Sequence, residues 1–267
     1  MSDDVKKTWQ QFVFEYQPPS EAAWINDLAI RCFRDTGDGD YIAARLALKA
    51  GLATQAIWSG LQAVEKYLKC MLLLRRVSSK GVGHKIAEGL RLVNDRLGYD
   101  IVLPDHEQAV FNHLAESCGD RYLVASLHLF DHELSGLDAL VWRLRQYCDV
   151  LDVEHYNDKP SEEVLSRSLD KIKARLYGEP VGGHLERGAL EKILAYQHHR
   201  AREGLVWRNA MFGGGQPFSA SGNFNFVATN SPLYLNPQIA RAVSKLVQLP
   251  YGALEAFEEL AIEQGKV

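Results

Sequence analysis

The sequence predicts an all-α protein: a helical bundle followed by a mainly helical C-terminal region that carries one short β-hairpin or extended loop. Three observations point there. Apolar residues recur at spacings of three and four through most of the first 150 residues. Capping residues and glycine stops bracket those segments. One stretch, FSASGNFNFVATNSPLYLN, departs from the pattern, with Phe224 and Phe226 alternating against polar neighbours.

The first helix, SEAAWINDLAIRCF, opens at Ser20 as N-cap and repeats Trp24, Leu28 and Cys32 along one face. Asp40 is placed to cap a second, IAARLALKAG, which Gly51 ends. In ATQAIWSGLQAVEKYLKCMLLL, one stripe is Ile57, Leu61, Val64, Leu68 and Met71. A second stripe is Ala53, Ala56, Gly60, Ala63, Tyr67 and Cys70, so this helix belongs in the middle of the bundle. HKIAEGLRLVNDRLG repeats Ile86, Leu90, Val93 and Leu97 and closes at Gly98; Pro104 and Asp105 start a further helix with Val110, Phe111 and Leu114 inward. A long helix is then expected from Asp120. Its core stripe of Leu123, Leu127, Phe130, Leu134, Leu137, Val141 and Leu144 lies within about 50° of one line at about 100° per residue. Arg121, His128 and His132 fall on the opposite face.

After Cys148 the composition turns acidic, and DVLDVEHYNDKPS reads as a linker. Beyond it, SEEVLSRSLDKIKARLYG repeats Leu165, Leu169, Ile172 and Leu176, and a helix over roughly 184–211 stops at Gly213, Gly214 and Gly215. Asn236 and Pro237 start the last pair, IARAVSKLV and ALEAFEELAIEQG. The chain thus divides into an N-terminal helical extension (1–37), a bundle (38–149), a linker (150–160) and a mainly helical C-terminal domain (161–267).

The composition bounds what this chain can be. Its 267 residues, 46% of them hydrophobic, can bury a sizeable core. No uninterrupted apolar run has the length of a membrane span, and MSDDVKKTWQ is too charged for a signal peptide, so a soluble cytoplasmic protein is expected. The four cysteines, Cys32, Cys70, Cys118 and Cys148, form no C-x-x-C and read as free buried thiols; no metal or cofactor is implied. A net charge of −4 argues against a general nucleic-acid coat protein, but residues 61–91 hold seven cations against two carboxylates. Within that stretch Arg75, Arg76, Lys80 and Lys85 are candidate contacts for a phosphate backbone. FGGGQPF follows a helix and lacks the Lys-Ser/Thr of a nucleotide loop, HHRAR reads as a solvated helix face, and no G-x-S-x-G elbow supports a serine hydrolase.

YIAARLALKAG, QAVEKYLK and GHKI together resemble the HEPN (higher eukaryotes and prokaryotes nucleotide-binding) family. Gln62, Ala63, Val64, Glu65, Lys66, Leu68, Lys69, Gly83 and His84 match its pattern, and Arg121-Tyr122 looks like its Arg-Tyr at the start of the last long helix. The resemblance covers about 110 residues, 38–149, and implies a helical bundle, usually a homodimer. Many members are metal-independent endoribonucleases with an Arg and a His, four to six residues between them, paired across the dimer. Arg121 and His128 have six. The resemblance therefore implies Arg121 and His128 as catalytic residues, with Tyr122, His132 and the basic loop binding RNA. Tyr122 also resembles the branch that often lacks the histidine, which implies a non-catalytic module binding RNA, a nucleotide or a protein partner, with a toxin–antitoxin or defence setting open to both.

Overall fold

A serine cap starts the described chain. In the computed structural model, which describes residues 20–117, 126–130, 132–149, 162–177, 184–185, 187–213, 226–249 and 251–267, the Ser20 hydroxyl accepts the Ala23 N–H at 3.2 Å and opens α1 (Glu21–Leu28). The helix does not end at TGDGD. A π-helical turn (Ala29–Arg34) carries it into α2 (Asp35–Lys49), so Asp40 caps nothing and instead pairs with Lys66 at 2.5 Å. Gly37 lets this continuous helix pack closely, because a Cβ there would stand 3.2 Å from the Tyr67 ring and 3.3 Å from Lys66 Cβ on the neighbouring helix. The expected face of Trp24, Leu28 and Cys32 is exposed. Ala23, Asn26 and Ala29 are buried in its place, with Arg76 gripping the Asn26 amide oxygen and the Ala22 carbonyl, both at 2.9 Å.

The central helix α3 (Ala53–Leu74) is buried along both expected stripes. Around it pack α4 (Ile86–Leu97), closed by Gly98 at a φ of 64°, and α5 (Asp105–Glu116), which turns Val110, Phe111 and Leu114 inward. Cys70 and Cys148 sit in this core. Cys148 donates to the Tyr67 carbonyl, and burial pushes its thiol well above the ordinary range, which keeps it protonated. Cys32 is exposed, unlike the expectation, and Cys118 lies outside the described residues.

The single helix expected from Asp120 is not what forms. Leu127–Phe130 is a strand, β1, and the helix α6 (His132–Arg145) begins after it. LHLF satisfies a period of two as well as of three to four. A second strand, β2 (Phe226–Thr229), decides between them by pairing antiparallel with it, Leu127 opposite Thr229 and His128 opposite Ala228. Leu127 is buried and His128 exposed, as alternation requires. Among the described residues, Phe226–Thr229 thus pairs with a distant segment of the chain. Phe224 lies outside the described residues.

The helix expected over 184–211 is also interrupted. After α7 (Glu162–Tyr177), the short helices α8 (Ala189–Ala195) and α9 (Arg202–Val206) flank a turn that carries His198 and His199. Ile172, Leu190, Leu205 and Phe212 join the bundle core, so that core continues past the acidic segment. A separate small core of Leu233, Ala240 and Phe257 holds α10 (Pro232–Leu235), a 3-10 turn (Pro237–Ile239), α11 (Ala240–Val243) and α12 (Ala253–Glu263) together. Among the described residues no helix is long and apolar enough to cross a membrane.

Candidate functional site

Three elements bring a histidine pair and a carboxylate together at one edge of the bundle. His113 lies in the last turn of α5 and Glu133 in the first turn of α6, the helix ends at which a basic and an acidic side chain are each favoured by the macrodipole. The two meet at 2.5 Å between His113 Nδ1 and Glu133 Oε1, with both side chains largely buried. An ionised carboxylate only accepts, so Nδ1 carries the proton and Nε2 is left for proton transfer. His128, on β1, lays its ring over His113 with centroids 4.7 Å apart and planes 12° from parallel. It is the exposed member. The result is a solvent-facing imidazole backed by a second imidazole that a carboxylate holds in place.

Close packing fixes these elements. Gly136, one turn after Glu133, allows α6 to touch α5, since a Cβ there would lie 2.6 Å from Val110 Cγ2 and 3.0 Å from the His106 carbonyl oxygen. A second tie is the buried Arg143–Glu107 pair, in which Nε and Nη2 along one guanidinium edge donate to the two carboxylate oxygens at 2.5 and 2.8 Å. Beneath His113 and Glu133 lies an apolar cavity of about 20 Å³ lined also by Leu48, Ala56 and Leu137. That is room for about one water.

The other expected site residues are spread out. Arg121 and Tyr122 lie outside the described residues, and His132 supplies the first backbone position of α6, its side chain being outside the description. Arg75 and Arg76 sit at the end of α3, roughly 27 Å along the helix from Ile57 at the cavity, taking about 1.5 Å per residue. Arg76 turns its guanidinium back onto α1. Lys80 is exposed in the following loop, which returns to place Lys85 beside His84. His84 Nδ1 meets Glu65 Oε2 at 2.6 Å, the same carboxylate takes Lys69 at 2.5 Å, and Trp58 stands edge-on to the His84 ring at 5.4 Å. The segments QAVEKYLK and GHKI therefore meet in space, and their polar residues pin the loop to α3.

His113 and Glu133 are not among the residues singled out from the sequence. The signal for His113 is its place on the flank of the Val110–Phe111–Leu114 stripe, where a polar ring is half covered. For Glu133 there is none without the fold. Among the described residues no group of three or more His, Cys, Asp or Glu side chains is arranged to hold a metal ion. Comparisons of the chain with family models, curated proteins and solved structures give no match.

Proposed function

We propose that this protein is a HEPN-type endoribonuclease that cleaves RNA without a metal ion, acting as a homodimer in the cytoplasm. The observation that supports this reading is the exposed His128 stacked on a His113 that Glu133 orients. Cleavage of RNA by its own 2′-hydroxyl needs a base at that hydroxyl and a proton donor for the leaving 5′-oxygen. His128 takes the 2′ proton, the 2′-oxygen attacks phosphorus, the bond from phosphorus to the 5′-oxygen breaks, and His113, entering the step as an imidazolium with its second proton on Nε2, gives that proton to the 5′-oxygen. The products are a 2′,3′-cyclic phosphate and a 5′-hydroxyl. Arg121, seven positions before His128, supplies the permanent positive charge for the transition-state phosphorane, from the same protomer or from its partner.

The test is incubation of purified wild-type and His128→Ala protein with a defined RNA in EDTA, followed by mapping of the cleaved ends. Cyclic phosphate ends that depend on His128 are the expected result. Binding of RNA or a nucleotide by a dimer that shows no turnover would overturn the catalytic reading in favour of a non-catalytic binding module.

A further inference from the structure

We infer that the turn between α8 and α9, with Lys49 at the end of α2, is a binding platform for single-stranded RNA, an inference that rests on the ribonuclease reading. Tyr196 is 60% exposed, and the rings of His198 and His199 stand edge-on to it at 6.2 and 6.5 Å. Across α9, the Trp207 indole gathers two cations, the Lys49 ammonium at 5.5 Å and the Arg208 guanidinium at 5.2 Å from the ring centroid. Arg200 and Arg208 are exposed. On a chain of net charge −4, this surface carries Lys49, Arg200, Arg202 and Arg208; Glu203 pairs with Lys49 at 2.5 Å and leaves the three arginines in excess. Exposed rings interleaved with cations suit a flexible strand whose bases stack and whose phosphates pair with ammonium and guanidinium groups.

The side of the platform formed by α9 and the residues after it is anchored in the bundle. Arg45, fully buried in the bundle, donates through Nε to the Gly204 carbonyl at 2.9 Å and through Nη2 to the Trp207 carbonyl, while its Nη1 pairs with the buried Asp138. Asn209 donates to the Tyr41 hydroxyl at 2.8 Å, and its amide oxygen takes the N–H groups of Met211 and Phe212 at 3.0 Å. Gly204 lies tight under Leu46, with space for no side chain. Between these anchors Arg208 keeps a φ of 51°, a left-handed conformation uncommon for a residue with a side chain. A buried network that fixes α9 and the Trp207–Arg208 corner beside the turn is what a preorganised recognition surface requires. Helix α2 connects the two places: Leu48 lines the cavity beside His113 and Glu133, and Lys49, over the Trp207 ring, is the next residue.

The experiment uses the full chain carrying His128→Ala and a fluorescein-labelled oligouridylate, with binding read by fluorescence anisotropy. Tyr196→Ala is expected to weaken binding by about 5- to 100-fold, as loss of one stacked base does, and Tyr196→Phe to restore it. Arg200→Gln and Arg208→Gln should each flatten the dependence of log affinity on log salt by about 0.7. Affinity unchanged in Tyr196→Ala would overturn the platform, and equal competition by the matching deoxy-oligonucleotide would overturn its assignment to RNA. The two readings separate cleanly. Cleavage by the wild type with KM unaffected by Tyr196→Ala sinks the platform alone, whereas Tyr196-dependent binding without cleavage sinks the ribonuclease reading alone.

Discussion

His128 gains its chemical character from the residues under it. An exposed imidazole on a strand is a weak acid–base group by position alone, but here its ring lies on His113, and Glu133 fixes the tautomer of that second ring. If His128 and His113 share the two proton transfers, His128→Ala and His113→Ala should each lower kcat/KM for a defined RNA by about 10²- to 10⁴-fold. Glu133→Gln keeps a polar side chain at the helix start yet cannot hold His113 in the same way. Its loss should be smaller, about 10-fold by the same scale, and confined to kcat. Equal activity in all three variants, with circular dichroism showing an intact fold, would remove the site from consideration. Of this trio the sequence marks His128 alone. His113 and Glu133 are 20 residues apart on separate helices, and no local pattern connects them.

At the level of elements, Gly136 decides how closely the helices bearing His113 and Glu133 approach. A methyl group there meets backbone at His106, which cannot turn aside as a side chain could. Gly136→Ala should therefore push α5 from α6, lower the stability by about 1–3 kcal/mol in urea denaturation, and reduce any cleavage activity with it. Unchanged stability would mean that the two helices have room to spare. Elements like α3, α4 and α5 are legible in the sequence because their apolar stripes persist for three turns or more and end at residues such as Gly98, whose φ of 64° few other residues adopt. Those that escape it are decided by remote partners. LHLF becomes a strand because FVAT, almost a hundred residues on, pairs with it, and the helical TGDGD segment packs closely because Gly37 fits against Tyr67. The end of α9 has the same character, since Arg45 in the bundle claims the carbonyls of Gly204 and Trp207 there.

Two buried arginines tie the C-terminal half to the bundle at the scale of the whole molecule. Arg145 forks onto Asp38 at 2.7 and 2.9 Å and onto Glu191 in the first turn of α8 at 2.7 Å, while Arg45 reaches Asp138 and the α9 carbonyls. Truncating Arg145 leaves Asp38 buried without its counter-charge, so Arg145→Ala should cost about 3–5 kcal/mol of stability. Retention of the wild-type urea midpoint would show that the C-terminal half docks by its apolar contacts alone.

Asp138 gives the second clamp a pH signature. Burial pushes its carboxyl up to about 6, with Arg45 and the hydrogen bonds from Arg45 and Tyr41 pulling the other way. In the unfolded chain the same group releases its proton near the ordinary 3.8. Between those values the folded state binds more protons than the unfolded one. The stability contributed by this group is therefore full below about pH 4, falls as pH rises to about 6, and is constant above. Asp138→Asn removes the titration while its amide oxygen can still accept from Arg45. The stability of wild type minus that of Asp138→Asn, from urea denaturation, should decline by roughly 3 kcal/mol across that window at about 1.4 kcal/mol per pKa unit, then stay level through pH 8. A difference that is level throughout would mean that Asp138 ionises at its ordinary value and that water reaches the clamp, whereas the expected decline would make the docking of the 201–212 segment tightest in mild acid.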